Sequence, residues 1–173
     1  MPGSLLGTAV RRVEDLDLIT GASTYVGNLA LDAMVHLAFV RSPLPHATIV
    51  SIDTGPAAAA EGVVAVFTAA DLQLPAHHGL MVVNPDLPRP PLATDRVRFV
   101  GEAVAVVVAE SKAAAVDAVE LVEIDYDPLP AVIDAEAALA PDAPLQFPDQ
   151  GSNVVGGSRL ATDHQLDGAD VVV

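Results

Sequence analysis

Residues 96–132 constrain the fold more than any other stretch. They read RVRFVGEAVAVVVAE, then SKAAAVDAVEL, then VEIDYDPLPAV. Val104 to Val108 is a short apolar run rich in valine, the pattern of a strand covered on both faces. Ser111 is placed to cap a helix whose apolar positions include Ala115, Val116, Val119 and Val122, a period near 3.6. Val122, Ile124 and Tyr126 then alternate with Glu123, Asp125 and Asp127, which predicts a strand with one wet face. Pro128 and Pro130 stop its pairing. Buried strand, helix and half-buried strand follow one another with no room for a long loop. The unit is scaffold, since none of its residues forms an evident catalytic set.

Around this unit the chain has enough apolar material for one compact domain. Its 173 residues are 51% hydrophobic, yet only 3% are aromatic, so the core must be built from Val, Ala, Leu and Ile. Eight basic residues stand against twenty-three acidic ones, a formal charge of −15. That balance excludes a phosphate-neutralising surface and points away from nucleic acid and from anionic membranes. Cysteine is absent, so this chain supplies no disulfide, iron–sulfur ligand or thiol nucleophile. No apolar run reaches the ~20 residues of a membrane span. The N-terminus MPGSLLGTAVRR lacks the basic head and apolar core of a signal peptide, and a cytoplasmic setting is expected.

Along the rest of the chain, residues 1–13 read as an arm and Glu14 to Ile19 as a short helical turn before Gly21. Ala33 to Val40 reads as a strand, RSPLP as an extended turn, and Ala47 to Ile52 as a second strand. Ile49 and Ile52 break strict alternation, which predicts a bulge or twist. Pro56 at a first helical position and Gly62 just past an end bracket an alanine-rich helix. Val63 to Phe67 is a strand, and Thr68 to Asp71 has the form of a capping box. Residues 75–95, with five prolines and His77-His78, form a long loop of the kind that is functional or held by a partner. A short helix is expected from Asp134 to Leu139. Prolines 141, 144 and 148 and later glycines then describe a connector. The closing run Val171 to Val173 has the character of a strand begun and not finished, which suggests a piece of something longer or an end that pairs with a partner.

Candidate chemistry is thin. Ser111 and Lys112 are adjacent, but Ser111 serves as a cap. Histidines 36, 46, 77, 78 and 164 show no helical metal-ligand spacing. His46, between a proline and a strand, is expected to bond backbone through its ring. Asp125 and Asp127 fit the wet side of a strand, and Asp134 and Glu136 fit a helix start. Glu102, following Gly101 in the apolar run, is the unusual acid. It is expected to anchor buried backbone N–H groups or to mark a bulge at the glycine. No Walker-type loop or GxGxxG segment occurs.

Three ordered segments carry a resemblance. They are RRVEDLDLITGASTYVGN (11–28), RSPLPHATIVSIDT with EGVVAVFTAADL (41–72), and PLATDRVRFVGEAVAVVVAE running on to YDPLPAV (91–132). Together they resemble the N-terminal part of the large subunit of molybdenum hydroxylases, the xanthine dehydrogenase, aldehyde oxidase and aerobic carbon monoxide dehydrogenase group. The tail ATDHQLDGADVVV is similar to the opening of the next domain of that family. Ala103 and Pro45 depart from the family's frequent residues at those places. The resemblance implies an α+β fold, the α/β-hammerhead, with a small mixed sheet and short packed helices. Residues 1–140 would be that domain with its arm, and 141–173 the connector and start of the next domain. It implies a structural domain that supports the molybdopterin-binding domains of a hydroxylase or carbon monoxide dehydrogenase and is not catalytic alone. Molybdopterin, iron–sulfur clusters and FAD would belong to the complete enzyme. The partners would be the remaining large-subunit domains and the iron–sulfur and FAD subunits. No catalytic, cofactor-binding or metal-ligating residue is assigned to this chain. The alternative is a freestanding acidic α/β module, either a split-gene subunit or a non-redox interaction partner.

Overall fold

The structure is a computed structural model, and it describes residues 6–156 apart from 8 and 11. His164 and the Val171–Val173 run therefore lie outside the described residues, as does most of the connector's second half. The chain divides into two units, Met1–Met34 and Val35–Val173.

In the first unit, α1 (Asp15–Thr20) carries Asp15 and Asp17 in its first turn, where the helix dipole favours carboxylates. It stops at Gly21, which adopts a left-handed conformation and returns its N–H to Leu18. The short helix expected before Gly21 is present, shifted by one residue.

The second unit holds six strands in two three-stranded sheets. They are β1 (His36–Arg41), β2 (Ala47–Asp53), β3 (Val63–Thr68), β4 (Arg96–Val97), β5 (Ala103–Ala109) and β6 (Glu123–Pro128). One sheet runs β1-β5-β3 and the other β4-β2-β6, with antiparallel pairing throughout. The expected small sheet is thus split in two. Successive strands alternate between the sheets, β1, β3 and β5 in one and β2, β4 and β6 in the other, and α4 (Lys112–Val119) makes the last crossing, from β5 to β6. Two other short helices, α2 (Gly55–Ala58) and α3 (Ala69–Leu72), complete the α+β architecture.

Bulges set which residues reach the core. In β2, Ile49 faces Tyr126 and Ser51 faces Asp125, so Val50 is the extra residue and stays exposed. This bulge lets Ile49 and Ile52 both pack inward, as their broken alternation predicted. In β5, Val40 faces Ala105 while Arg41 faces Ala103, leaving Val104 over. Ala105 and Val107 then pack with Val40, Ala57, Ala118 and Val122, whereas Val104 packs with Ala47, Ala93 and Val97. Ile52 and Ile124 touch both clusters and join them into one interior. Val104 to Val107 are all buried, as a strand covered on both faces requires.

Helix α4 begins at Ser111, whose Oγ accepts the Ala114 N–H at 3.1 Å. Its buried positions are Ala115 and Ala118; Val116 is exposed and Val122 lies past the helix end, buried. Of the apolar stripe read from the sequence, Ala115, Val119 and Val122 pack inward and only Val116 faces out; Ala118 takes the remaining inward place. Gly62 approaches the helix closely: it has φ +77°, and a Cβ there would fall 3.2 Å from that of Ala114.

Other expectations shift in detail. The first strand starts at His36, after a turn in which Ala33 takes φ +57°. Pro56 occupies the second helical position, not the first. The Asp134–Leu139 helix is one 3-10 turn, Ala137–Leu139, with the Asp134 carboxylate accepting the Ala137 N–H. Pro128 is itself the last strand residue, opposite Ala47.

Candidate functional site

Gly101 and Glu102 precede β5; they do not lie within it. Gly101 sits in a turn at φ +92°, with no atom near enough to crowd a Cβ. The expected bulge lies at Val104, three residues on, so the glycine answers to backbone conformation alone. The turn is tied on every side. Gly101 donates to the Ser42 carbonyl at 2.8 Å and accepts from Arg41 Nη1 at 2.8 Å. Ser42 donates its N–H to the Glu102 carbonyl. Glu102 is 9% exposed, and its carboxylate accepts the Arg98 N–H, which makes it the backbone anchor that its position suggested.

This turn forms one wall of a cleft of about 420 Å³. The loop 75–95 forms another. Its base is closed by reciprocal backbone bonds between His77 and Arg89, at 2.8 and 2.7 Å. Asn84 then accepts the Asp86 N–H in a side-chain turn. The third wall is 146–150, where Gln146 Nε2 donates to the Arg98 and Pro45 carbonyls and Gln150 Nε2 to the Asp86 carbonyl. Asn153 fixes this segment, accepting from the Gln146 N–H and donating to Ala138 and Pro144 carbonyls.

Three of the eight basic residues, Arg89, Arg96 and Arg98, line the cleft with Asp86, Asp95, Glu102 and Asp149. Among the described residues the one ion pair is Arg12 with Glu14 at 3.9 Å, both exposed, so none of these arginines is paired with a carboxylate. The Arg98 guanidinium lies 5.1 Å from the Phe147 ring centre, and that of Arg89 lies 5.9 Å from Phe99. Arg96 Nε and Arg98 Nε are enclosed without a partner. The arrangement can grip a polar segment of mixed charge. Its side-chain hydroxyl–carboxylate bond is Thr94 Oγ1 to Asp95 Oδ1 at 3.0 Å, between sequence neighbours.

The other sequence candidates are scattered. His46 is 4% exposed, and its Nδ1 bonds the Pro130 carbonyl at 2.8 Å, the structural role expected of it. His36 lies in β1, while His77 and His78 lie on the loop. Asp125 and Asp127 are on the exposed face of β6. Among the described residues no three His, Asp or Glu side chains converge to hold a metal ion. No helix among them is long and apolar enough to cross a membrane. Tyr126 is the perturbed acid of the interior. Burial raises its pKa, and the nearby Glu102 carboxylate adds to this, against a partial relief from the Ser42 hydroxyl. Sequence reading did not find the arginine cleft. The available signal was three arginines between positions 89 and 98 in a chain so short of cations.

Residues 20–130 match the family model for the aldehyde oxidase and xanthine dehydrogenase a/b hammerhead domain. The chain is 42% identical over 161 residues to the carbon monoxide dehydrogenase large chain of Afipia carboxidovorans, covering 92% of this chain and 20% of that one. It is 34% identical over 172 residues to the xanthine dehydrogenase molybdenum-binding subunit of Escherichia coli O157:H7, covering 94% and 22%. The crystal structure of quinoline 2-oxidoreductase from Pseudomonas putida 86 superposes with a TM-score of 0.75 at 42% identity, covering 87% of this chain and 20% of that one. The chain thus spans about a fifth of the length of these relatives.

Proposed function

Since the chain belongs to the aldehyde oxidase and xanthine dehydrogenase family, as its a/b hammerhead domain, we propose that it is the N-terminal structural domain of a molybdenum-dependent large subunit. In this reading it supports the molybdopterin-binding domains and makes or breaks no bond itself. The observation that carries the proposal is coverage: 92% of this chain aligns with 20% of a carbon monoxide dehydrogenase large chain. Among the described residues no three His, Asp or Glu side chains gather as metal ligands. Residues 1–140 would be the domain and 141–173 the connector, which Gln146 and Asn153 tie back to the body. Molybdopterin would then be held by the rest of the large subunit, and iron–sulfur clusters and FAD by companion subunits. When bound, the molybdenum centre would supply the redox chemistry of a hydroxylase or carbon monoxide dehydrogenase.

Co-expression of the chain with the polypeptide of the remaining large-subunit domains tests this. A stable complex should form, with molybdenum stoichiometric in the complex and absent from the purified chain. Molybdenum or flavin bound to the chain alone, or no complex at all, would refute the proposal.

A further inference from the structure

The tip of the 75–95 loop is the most exposed apolar element among the described residues of the second unit. Leu80, Met81, Val82 and Val83 are 105, 79, 57 and 63% exposed, four consecutive apolar side chains turned to solvent. Such a run is an error in a surface unless something covers it. The His77–Arg89 bonds hold its base, so the tip is presented from a fixed point. Residues 77–89 carry one acid, Asp86, in a chain with twenty-three. The tip is therefore a gap in the repulsive acidic surface.

Its neighbour identifies what covers it. Gly156 lies so close to the loop that a Cβ on it would fall 2.5 Å from Val83 Cγ1 and 3.3 Å from the Val83 carbonyl. Val154 and Val155, just before, are 55 and 48% exposed. The chain thus brings residue 156 to the side of the loop tip, with an apolar pair next to it. In the relatives about four-fifths of the large chain lies outside the aligned part.

We propose that Leu80–Val83, with Val154 and Val155, is the surface on which the remainder of the large subunit docks, an apolar patch beside Gly156 of the connector. The inference rests on the functional reading above and specifies its contact. The loop acts as a plug seated in an apolar recess of the molybdenum-binding domains, and the Gly156–Val83 approach keeps plug and connector in register. The arginine cleft, being charged, would give a docking contact that salt weakens; the apolar plug gives one that salt leaves unchanged or strengthens.

The test is sedimentation of this chain, co-expressed with the remaining large-subunit polypeptide, against a chain carrying Leu80→Ser, Met81→Ser and Val82→Ser. The triple variant should bind at least tenfold more weakly while unfolding at the same denaturant midpoint. Binding by the unaltered chain should survive 0.5 M salt, a level that screens to about a 4 Å Debye length. Amide exchange at 79–84 should slow in the unaltered complex, a measurement independent of any variant. Equal binding by both chains, unslowed exchange at 79–84, or a complex that salt dissolves overturns the docking surface while leaving the functional reading intact. A dimer of the chain alone that the triple variant abolishes assigns the patch to a second copy and overturns it too. Absence of any complex with the unaltered chain overturns both.

Discussion

Replacement of Gly101 separates two physical causes that the sequence left together, backbone strain and overpacking. The residue sits at φ +92°, where an L side chain carries a conformational penalty of about 1–3 kcal/mol. A Cβ there meets nothing within 4 Å, so no steric clash adds to it. The turn cannot relax to negative φ without loosening the bonds from Gly101 to Ser42 and from Arg41 to Gly101, each worth about 0.5–1.5 kcal/mol net. Reduced freedom of the unfolded chain offsets about 0.4–1 kcal/mol for alanine. Gly101→Ala should therefore cost about 1–2 kcal/mol. Gly101→Val should cost about 2–3 kcal/mol, because branching at Cβ makes positive φ worse. Gly101→Asn should cost less than alanine, since asparagine tolerates the left-handed region. Gly101→Lys should match alanine, because the side chain projects into open space. Urea unfolding of the five proteins reads these differences as midpoint shifts at constant slope. An alanine variant with an unshifted midpoint, or a lysine variant far worse than alanine, would refute the strain argument.

Three further outcomes follow from local chemistry. Ser111→Ala removes the acceptor for the Ala114 N–H and should cost about 1 kcal/mol in urea unfolding, with most of it recovered in Ser111→Asp. The Asp71 carboxyl is held below its ordinary value by the Thr68 N–H, then by the Thr68 hydroxyl. Its contribution is complete above pH 3.8 and fades as pH falls through the lower folded value, and an acid titration of Asp71→Asn should lack that portion of the decline. Tyr126 has its pKa raised by burial, so the fold holds its proton more tightly than the unfolded chain. Stability is unaffected below pH 10.0 and falls as pH climbs above it; Tyr126→Phe should remove that alkaline loss while changing neutral stability by no more than about 0.5 kcal/mol.

The parts of the fold legible in the sequence are those set by local chemistry. Ser111, Thr68 with Asp71, and Gly21 are caps whose side chains or φ preferences act within four residues, and each is found where the pattern put it. The Val50 bulge was legible because Ile49 and Ile52 cannot both face inward along a regular strand. What was not legible depends on distant chain. The two-residue strand β4 exists because Ala47 and Thr48 pair with Val97 and Arg96, and nothing in a two-residue stretch announces it. Gly101 read as strand because an apolar run follows it from Ala103. The structure places it in a turn because Ser42, some sixty positions away, takes its N–H.

The arginine cleft stayed hidden for the same reason, and the reason bears on what the domain does. Its walls come from three separated segments, and their junctions are single side chains: Gln146 to Arg98, Gln150 to Asp86, Glu102 to the Arg98 amide. Each bond joins a side chain to backbone, which fixes the segments relative to one another and leaves the guanidinium groups without a carboxylate partner. A catalytic centre shows the opposite economy, with side chains bonded to side chains so that a proton can pass between them. Here the interior is alanine and valine, the polar groups hold loops, and the free charges and bare apolar groups face outward along the loop and the connector. That distribution suits a domain whose output is position. On this argument the cleft and the plug act together, the apolar tip supplying affinity and the arginines orientation. Loss of Arg96 and Arg98 together should leave the affinity of the large-subunit complex within about threefold while making it insensitive to which charged residues line the facing surface. A larger loss of affinity from the arginines than from Leu80, Met81 and Val82 would reverse that assignment.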